Sequence, residues 1–258
     1  SHNSLGFVGY DLGFPYMVFG HYMADIHHTD LSTGNLVYPG KIMGLASYGK
    51  VRGEWITNFI DFYNSQPDGN DYQQKIDKLG ENIGVVFDPN IRLEGQLAYD
   101  IAATSQRAIE ECFFELAEPF IKEYNDWPIC ITGGCGLNII LNTAVVNRFN
   151  REVFVGPSPN DCGIALGMIL NHIKPAKAID CTYAGLDLMD LDTLASYIQN
   201  NSFTSYNVNI PEIINDIING SIVGVARGKS ESGPRALGNR SILCNPSILN
   251  MKDTLNAK

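Results

Sequence analysis

The feature that most limits the possible folds is an alternation of helical and strand patterns across residues 95–173. From Gly95 to Phe120, apolar residues recur at three- and four-residue steps, which predicts an amphipathic helix over 95–124. The short apolar runs WPICITGG and EVFVGP predict two strands, the first of them buried. Helical spacing resumes in CGLNIILNTAVVNRF and in NDCGIALGMILNHI. This order predicts an α/β layer fold with at least partly parallel strands.

The rest of the chain interrupts this alternation. KPAKAIDCTYAGLDLMD contains a proline and several small residues, so we place a domain boundary near residue 177. The predicted domains are therefore 1–177 and 178–258. In the second, DLDTLASYIQNN and IPEIINDIING predict helices, and SIVGVARG predicts a strand.

Composition excludes several classes of protein. A net charge of -10 repels nucleic acid and anionic membranes on average. No apolar run is long enough to cross a bilayer, and SHNSLGFVGYDLGF lacks the layout of a secretion signal. The six cysteines form no CxxC pair, which argues against a zinc ribbon or a disulfide framework. We therefore expect a cytoplasmic protein that binds neither nucleic acid nor membrane.

The stretch GKSESGPRALGNRSILCNP is a local exception to the acidic charge. Arg227, Lys229, Arg235 and Arg240 place four of the chain's 18 basic residues close together. The forked guanidinium groups of Arg235 and Arg240 suit a phosphate or carboxylate, and Lys229 adds a further positive charge. A solvated basic loop and a structural network of arginine and glutamate remain alternative interpretations.

Local sequence also predicts the shape of this stretch. With Ser232 or Gly233 as cap, Pro234 suits the first position of a short helix whose positive end would point toward an anion. Glu231 is expected to orient one of the arginines.

A second candidate site follows the first predicted strand. Gly133 and Gly134 would let the backbone come close to a ligand, and the next helix would direct its free N–H groups at phosphate or ribose. Asn138 and Asn142 lie one turn apart and could add hydrogen bonds. Alternatively, the glycines only permit a tight turn.

Asp161 in GPSPNDCGIALG has two interpretations. It is a metal or nucleotide ligand, or it caps the helix that follows. His27 and His28, with Asp25 and Asp30, have the side chains of metal ligands but no helical spacing, so we interpret them as a polar surface or interface.

Three motifs in order resemble the nodulation-protein-U type O-carbamoyltransferases. They are KIMGLASYG; ITGGCGLNIILN with GPSPNDCGIALG; and GKSESGPRALGNRSILCNP. The most specific match is the run from Gly233 to Leu243, and the resemblance covers essentially the whole chain, most loosely over 51–94.

The resemblance implies ATP-dependent transfer of a carbamoyl group from carbamoyl phosphate, through carbamoyl-adenylate, to a hydroxyl of a small acceptor. It implies the second half of an actin-like ATPase (RNase H-like) domain, followed by the beginning of a module similar to threonylcarbamoyl-adenylate synthase. Expected cofactors are ATP and iron or another divalent metal. The expected partners are carbamoyl phosphate, ATP and the acceptor, and a homo-oligomer is an expected form of assembly.

Individual roles also follow from the resemblance. The turn containing Gly133 and Gly134, with Asn138 and Asn142, would bind the nucleotide. Asp161 would match the metal-binding carboxylate. Arg235, Arg240 and Lys229 would handle carbamoyl phosphate.

The sequence departs from the family pattern in several places. No match exists for the family's upstream metal-binding histidines, and Lys229 replaces the usual arginine, without its planar fork. We therefore expect a fragment that is inactive alone. Alternatives are another actin-like ATPase, such as a hydrogenase-maturation carbamoyltransferase, or a non-catalytic nucleotide-binding module.

Overall fold

The computed structural model describes residues 10–27 and 36–257. The chain divides into two compact units, Ser1–Val155 and Gly156–Lys258, and each is described by itself. The functional division near residue 177 stays a prediction.

The first unit is mainly helical. Its described helices are α1 (Gly13–Val18), α2 (Tyr38–Ala46), α3 (Ile56–Asn64), α4 (Tyr72–Ile83), α5 (Gly95–Glu123) and α6 (Ile139–Phe149). The strands are β1 (Ile129–Ile131) and β2 (Val153–Val155). The long helix predicted over 95–124 is confirmed by α5, to within one residue.

The strands β1 and β2 pair in parallel, with Ile129 opposite Val153 and Ile131 opposite Val155. Helix α6 connects them, so the predicted strand, helix, strand order is confirmed. The prediction that the first strand is buried is only partly right. Ile131 is buried but Cys130 is exposed, because in the described residues this sheet has two strands and one face of β1 is left uncovered.

Helix α5 is the centre of the first unit. It packs against α2 and α3, where Phe19, Phe59 and Ile101 are fully buried. Near its C-terminal half, Phe114 joins a second apolar cluster with Ile131 on β1 and Leu141 on α6. Helix α5 also buries polar side chains, namely Asp100, Thr104, Ser105, Gln106 and Glu110. These must find partners inside the unit, since an unpaired buried polar group is costly.

Two of these polar side chains hold the loop that follows the KIMGLASYG motif. The backbone N–H of Lys50 donates to Asp100 Oδ1 at 2.8 Å, and that of Arg52 donates to Thr104 Oγ1 at 3.0 Å. At Gly49 the loop lies so close to α5 that an added Cβ would overlap the carbonyl oxygen of Tyr99. The packing of this loop on α5 therefore requires glycine at position 49.

The second unit contains α7 (Ile164–Ile173), α8 (Leu194–Asn200), α9 (Ile210–Ile218) and α10 (Met251–Asn256). Strands β3 (Val223–Ala226) and β4 (Arg240–Leu243) pair antiparallel. The predicted helices α7, α8 and α9 and the predicted strand β3 are confirmed. Among its described residues, Met251 alone is a buried hydrophobic side chain. Over residues 10–27 and 36–257, no helix is both long and apolar enough to cross a membrane.

We predict that Gly49→Ala lowers the free energy of unfolding by about 1–3 kcal/mol, because the methyl group forces the loop away from α5. Gly44→Ala is the matched control. Position 44 lies in α2, and an added Cβ there meets no atom within 4 Å, so we expect a gain of about 0.5–1 kcal/mol from helix propensity. Urea unfolding of both variants tests this. Equal stabilities would contradict the close packing of residue 49.

Candidate functional site

The basic stretch forms a long loop, residues 227–239, between β3 and β4. The short helix predicted at Pro234 is wrong, because residues 231–239 form bends and no helical turn. Gly238 takes a φ of 106°, a left-handed conformation that suits glycine. In this loop, backbone N–H groups donate to a side chain and not to the carbonyls of a helical turn.

That side chain is Glu231. Its Oε1 accepts from the backbone N–H groups of Leu237 at 2.7 Å, Asn239 at 2.9 Å and Arg240 at 3.2 Å. These donors, Leu237 first, lower the pKa of Glu231 from its ordinary 4.5 to about 2. The expectation that Glu231 orients an arginine side chain is therefore wrong. Its carboxylate instead occupies an anion-binding arrangement of backbone N–H groups.

Arg240 is held by the backbone of the same loop. Its Nη1 donates to the carbonyls of Arg227 at 2.7 Å and Asn239 at 2.8 Å, and its Nη2 donates to that of Gly228 at 3.0 Å. Arg227 contributes a similar bond, from Nε to Asn239 Oδ1 at 3.0 Å. Both guanidinium groups thus close the base of the loop.

Lys229 and Arg235 are placed differently. Both are exposed, and neither side chain has a hydrogen bond or ion pair to another described residue. Asn239 Nδ2 donates to the backbone carbonyl of Lys229 at 2.7 Å, which fixes the main chain and leaves the ammonium group in solvent. The loop therefore presents two positive side chains on a backbone held from within.

Neighbouring segments of the second unit fasten this loop. The backbone N–H of Ser230 donates to the carbonyl of Leu186 at 2.8 Å, and that of Ser232 donates to the carbonyl of Thr182 at 3.0 Å. At Gly233 an added Cβ would overlap the carbonyl oxygen of Pro157. Close packing explains this glycine without any ligand.

The glycine pair after β1 is different in this respect. Gly133 has a φ of 89°, and a 3-10 turn follows over Gly134–Leu137. Gly134 has neither a positive φ nor an atom within 4 Å of an added Cβ. Internal packing does not require glycine at position 134, and the space in front of it is open. Helix α6 begins only at Ile139, later than the pattern predicts.

Asn138 and Asn142 lie on either side of this helix start. Asn138 Oδ1 caps α6 by accepting from the N–H of Leu141 at 3.0 Å. Asn142 Nδ2 donates to the carbonyl of Gly136 at 2.8 Å, while its buried Oδ1 has no hydrogen-bond partner among the described residues. The structure thus brings the four residues predicted for nucleotide binding to one turn and one helix end.

Asp161 is exposed and opens a 3-10 turn over Asp161–Gly163, just before α7. Within the described ranges, neither it nor Asn160 makes a side-chain capping bond to that turn or to α7, so capping is not its role here. Among residues 10–27 and 36–257, no group of three or more His, Cys, Asp or Glu side chains is placed to bind a metal. One carboxylate does not complete a metal site.

The paired histidines are only partly described. His27 Nδ1 lies 3.2 Å from the hydroxyl of Tyr38, which is a contact inside the first unit. His28 and Asp30 lie outside the described residues.

Sequence analysis missed Gln106 and Glu110. Both lie within the apolar pattern that predicts α5. A pattern based on apolar positions gives no role to the polar residues between them. The available signal was the recurrence of polar residues on the buried side of this helix. Burial raises the pKa of Glu110, which accepts from Gln106 Nε2 at 3.0 Å. Gln106 in turn bonds to Asn138.

We predict that Glu231→Gln removes an acid-sensitive part of the protein's stability. A carboxyl whose pKa falls from 4.5 to about 2 on folding stabilises the fold above pH 4.5, and this contribution is lost as the pH falls toward about 2. The melting temperature of the unsubstituted protein should therefore fall toward that of Glu231→Gln across this range. Glu212→Gln, on α9, is the control and should follow the unsubstituted protein. A difference that does not change with pH would contradict the assignment.

Comparison with known proteins identifies the family. Residues 2–170 match the model for the carbamoyltransferase N-terminus, and residues 214–258 match that for the carbamoyltransferase C-terminus. Nodulation protein NolO of Bradyrhizobium diazoefficiens is 30% identical over 234 residues, which cover 84% of this chain and 42% of that protein. Nodulation protein U of the same organism is 25% identical over 263 residues, covering 95% and 45%.

A third relative agrees with these two. Nodulation protein U of Azorhizobium caulinodans is 27% identical over 265 residues, covering 95% of this chain and 46% of that protein. The chain spans less than half the length of the three relatives. Matches to both terminal models, in the family's order and over most of the chain, show that it belongs to the nodulation-protein-U type carbamoyltransferase family.

Proposed function

We propose that this chain is the part of an O-carbamoyltransferase that handles carbamoyl phosphate and a nucleotide. Water first cleaves carbamoyl phosphate into carbamate and phosphate, and an oxygen of carbamate then attacks the α-phosphorus of ATP, which releases pyrophosphate and forms carbamoyl-adenylate. The hydroxyl oxygen of a small acceptor, losing its proton, attacks the carbamoyl carbon as AMP leaves. Family membership supports the carbamoyl transfer. The assignment of residues rests on one observation. Lys229 and Arg235, on the loop 227–239, have positive side chains that make no hydrogen bond or ion pair to another described residue.

The geometry of this loop supports a division of roles among its basic residues. Arg235 and Lys229 are exposed, so both can reach an anion from solvent. Arg240 already donates three hydrogen bonds to backbone carbonyls, so its contribution is to hold the loop in shape. Because Glu231 occupies the nearby backbone N–H groups, we assign the binding of carbamoyl phosphate to side chains.

The turn after β1 supports the nucleotide part of the proposal. Open space before Gly134 lets a phosphate or ribose approach the backbone without a side chain in the way. The unpaired Oδ1 of Asn142 can accept from a ligand hydroxyl, which would satisfy a buried acceptor. These two features together favour ligand binding over a turn with a purely structural role.

The finer architecture follows from the resemblance. We propose that the β1–α6–β2 region belongs to an actin-like ATPase (RNase H-like) domain, and that the region around β3 and β4 begins a module similar to threonylcarbamoyl-adenylate synthase. Asp161 is proposed as one ligand of a divalent metal.

We predict that Arg235→Ala raises the KM for carbamoyl phosphate by roughly 10- to 100-fold in the full-length protein, because a charge-assisted hydrogen bond to the ligand is lost. Its melting temperature should not change, since Arg235 has no described internal partner. Steady-state kinetics and thermal unfolding measure the two effects.

Arg240→Ala is the matched comparison for this experiment. It removes three hydrogen bonds within the loop, so we expect it to lower the free energy of unfolding by about 1–2 kcal/mol. If Arg235→Ala instead destabilises the protein as much as Arg240→Ala, or leaves the KM unchanged, the assignment of Arg235 to the substrate is wrong.

A further inference from the structure

The side-chain amide of Gln106 connects helix α5 to the turn after β1. Its Oε1 accepts from Asn138 Nδ2 at 2.9 Å, and its Nε2 lies 3.3 Å from Asn138 Oδ1. The two amides therefore pair reciprocally. Gln106 is only 4% exposed, so water does not compete strongly for these bonds.

The other hydrogen-bonding positions of the Gln106 amide are also occupied. Gln106 Oε1 accepts from the hydroxyl of Tyr16 at 2.8 Å, and Nε2 donates to Glu110 Oε1 at 3.0 Å. Two bonds to the oxygen and two from the nitrogen match the full capacity of an amide. Gln106 is therefore held in one position by partners from α1, α5 and the start of α6.

Glu110 determines which way this amide points. Its other oxygen lies 3.5 Å from Arg107 Nη1, whose positive charge favours the ionised carboxylate and opposes the burial that raises the pKa of Glu110. An ionised carboxylate only accepts hydrogen bonds, so the Nε2 of Gln106 must face Glu110 and the Oε1 must face Tyr16. The opposite orientation would bring two acceptors together.

This orientation is passed on to Asn138. Gln106 Oε1 accepts from Asn138 Nδ2 as well as from Tyr16, so Asn138 turns its Nδ2 toward Gln106 and its Oδ1 caps α6 at the N–H of Leu141. The side chain of Asn138 cannot rotate without breaking both bonds. The start of α6, and with it the end of the turn from Gly133, is thereby fixed relative to α5.

We infer that Gln106 is a positioning residue, which holds the turn after β1 through Asn138 in the geometry that receives the nucleotide. The inference rests on the proposed function, because that proposal assigns the nucleotide to this turn. Gln106 itself does not touch the nucleotide. It acts by limiting the conformations that the turn adopts before the ligand binds, which lowers the ordering cost of binding.

The test uses two variants of the full-length protein that break the amide pair from opposite sides. Gln106→Met keeps the volume but loses the hydrogen bonds, and Asn138→Ser keeps a capping hydroxyl but cannot reach Gln106. We expect each to raise the KM for ATP roughly five- to tenfold and to leave the KM for carbamoyl phosphate unchanged. The double variant should raise the KM for ATP no further than Gln106→Met alone, since Gln106→Met already removes the amide pair that Asn138→Ser breaks.

Thr104→Val is the matched control. Thr104 is equally buried on α5, but its hydroxyl bonds to Arg52 and Asp100 and not to the turn. It should lower stability without a selective change in the KM for ATP. Hydrogen exchange of the Leu141 N–H should accelerate in Gln106→Met and stay unchanged in Thr104→Val. An unchanged KM for ATP in Gln106→Met, or equal changes in both KM values, would overturn the inference.

Gly134→Ala separates this inference from the proposed function. It places a methyl group in open space, so it should weaken ATP binding without altering exchange at Leu141. If Gly134→Ala leaves the KM for ATP unchanged while Gln106→Met raises it, the nucleotide does not approach the backbone at Gly134 and the proposed site is wrong. If Gly134→Ala raises it and Gln106→Met does not, the site stands and the positioning role of Gln106 is wrong.

Discussion

A single carboxylate determines the shape of the loop that carries the family's most specific motif. Glu231 accepts hydrogen bonds from the N–H groups of Leu237, Asn239 and Arg240, which would otherwise be available to bind an anion from solvent. Around it, Arg240 donates to backbone oxygens, Arg227 donates to the carbonyl of Gly238 and to Asn239 Oδ1, and both close the loop at its base. The positive charges at Lys229 and Arg235 are exposed as a result of this arrangement. In the proposed function, a loop that is already ordered in this way has a lower ordering cost on binding carbamoyl phosphate.

Buried polar side chains have a similar effect in the first unit, where the long helix α5 supplies hydrogen-bond partners to two loops. Asp100 and Thr104 hold the loop after α2, while Gln106 holds Asn138 at the start of α6. A buried polar side chain with all its bonds satisfied specifies one geometry more sharply than apolar packing does, because hydrogen bonds depend on direction. Helix α5 is thus both the hydrophobic centre of this unit and the support for two of its glycine-containing turns, the one at Gly49 and the one at Gly133 and Gly134.

Sequence periodicity predicted the regular elements well. Helices α5, α6, α7 and α9 and strands β1, β2 and β3 follow from apolar spacing, since burial of an apolar face is a local property of each segment. The basic loop was predicted less well. Pro234 after Ser232 and Gly233 favours a helix start locally. The backbone bonds that Glu231 accepts and the close approach of Gly233 to Pro157 are not local, and they produce bends instead.

The site shows the same limit. The sequence brought attention to Gly133, Gly134, Asn138 and Asn142, which the structure places together, but it could not distinguish the glycine explained by its φ of 89° from the one with open space before it. It also gave Arg235 and Arg240 the same role, the binding of an anion through their forked guanidinium groups. Their different roles depend on which guanidinium groups meet backbone carbonyls, and that is decided only when β3 and β4 pair.

The most direct measurement is NMR of the arginine Nε–H signals in the full-length protein during titration with carbamoyl phosphate. Signals are assigned by their loss in Arg235→Lys and Arg240→Lys. The account predicts a saturable shift of the Arg235 signal and little change at Arg240, whose guanidinium stays bound to the backbone. A shift at Arg240 with none at Arg235 would contradict it, and so would the absence of any shift.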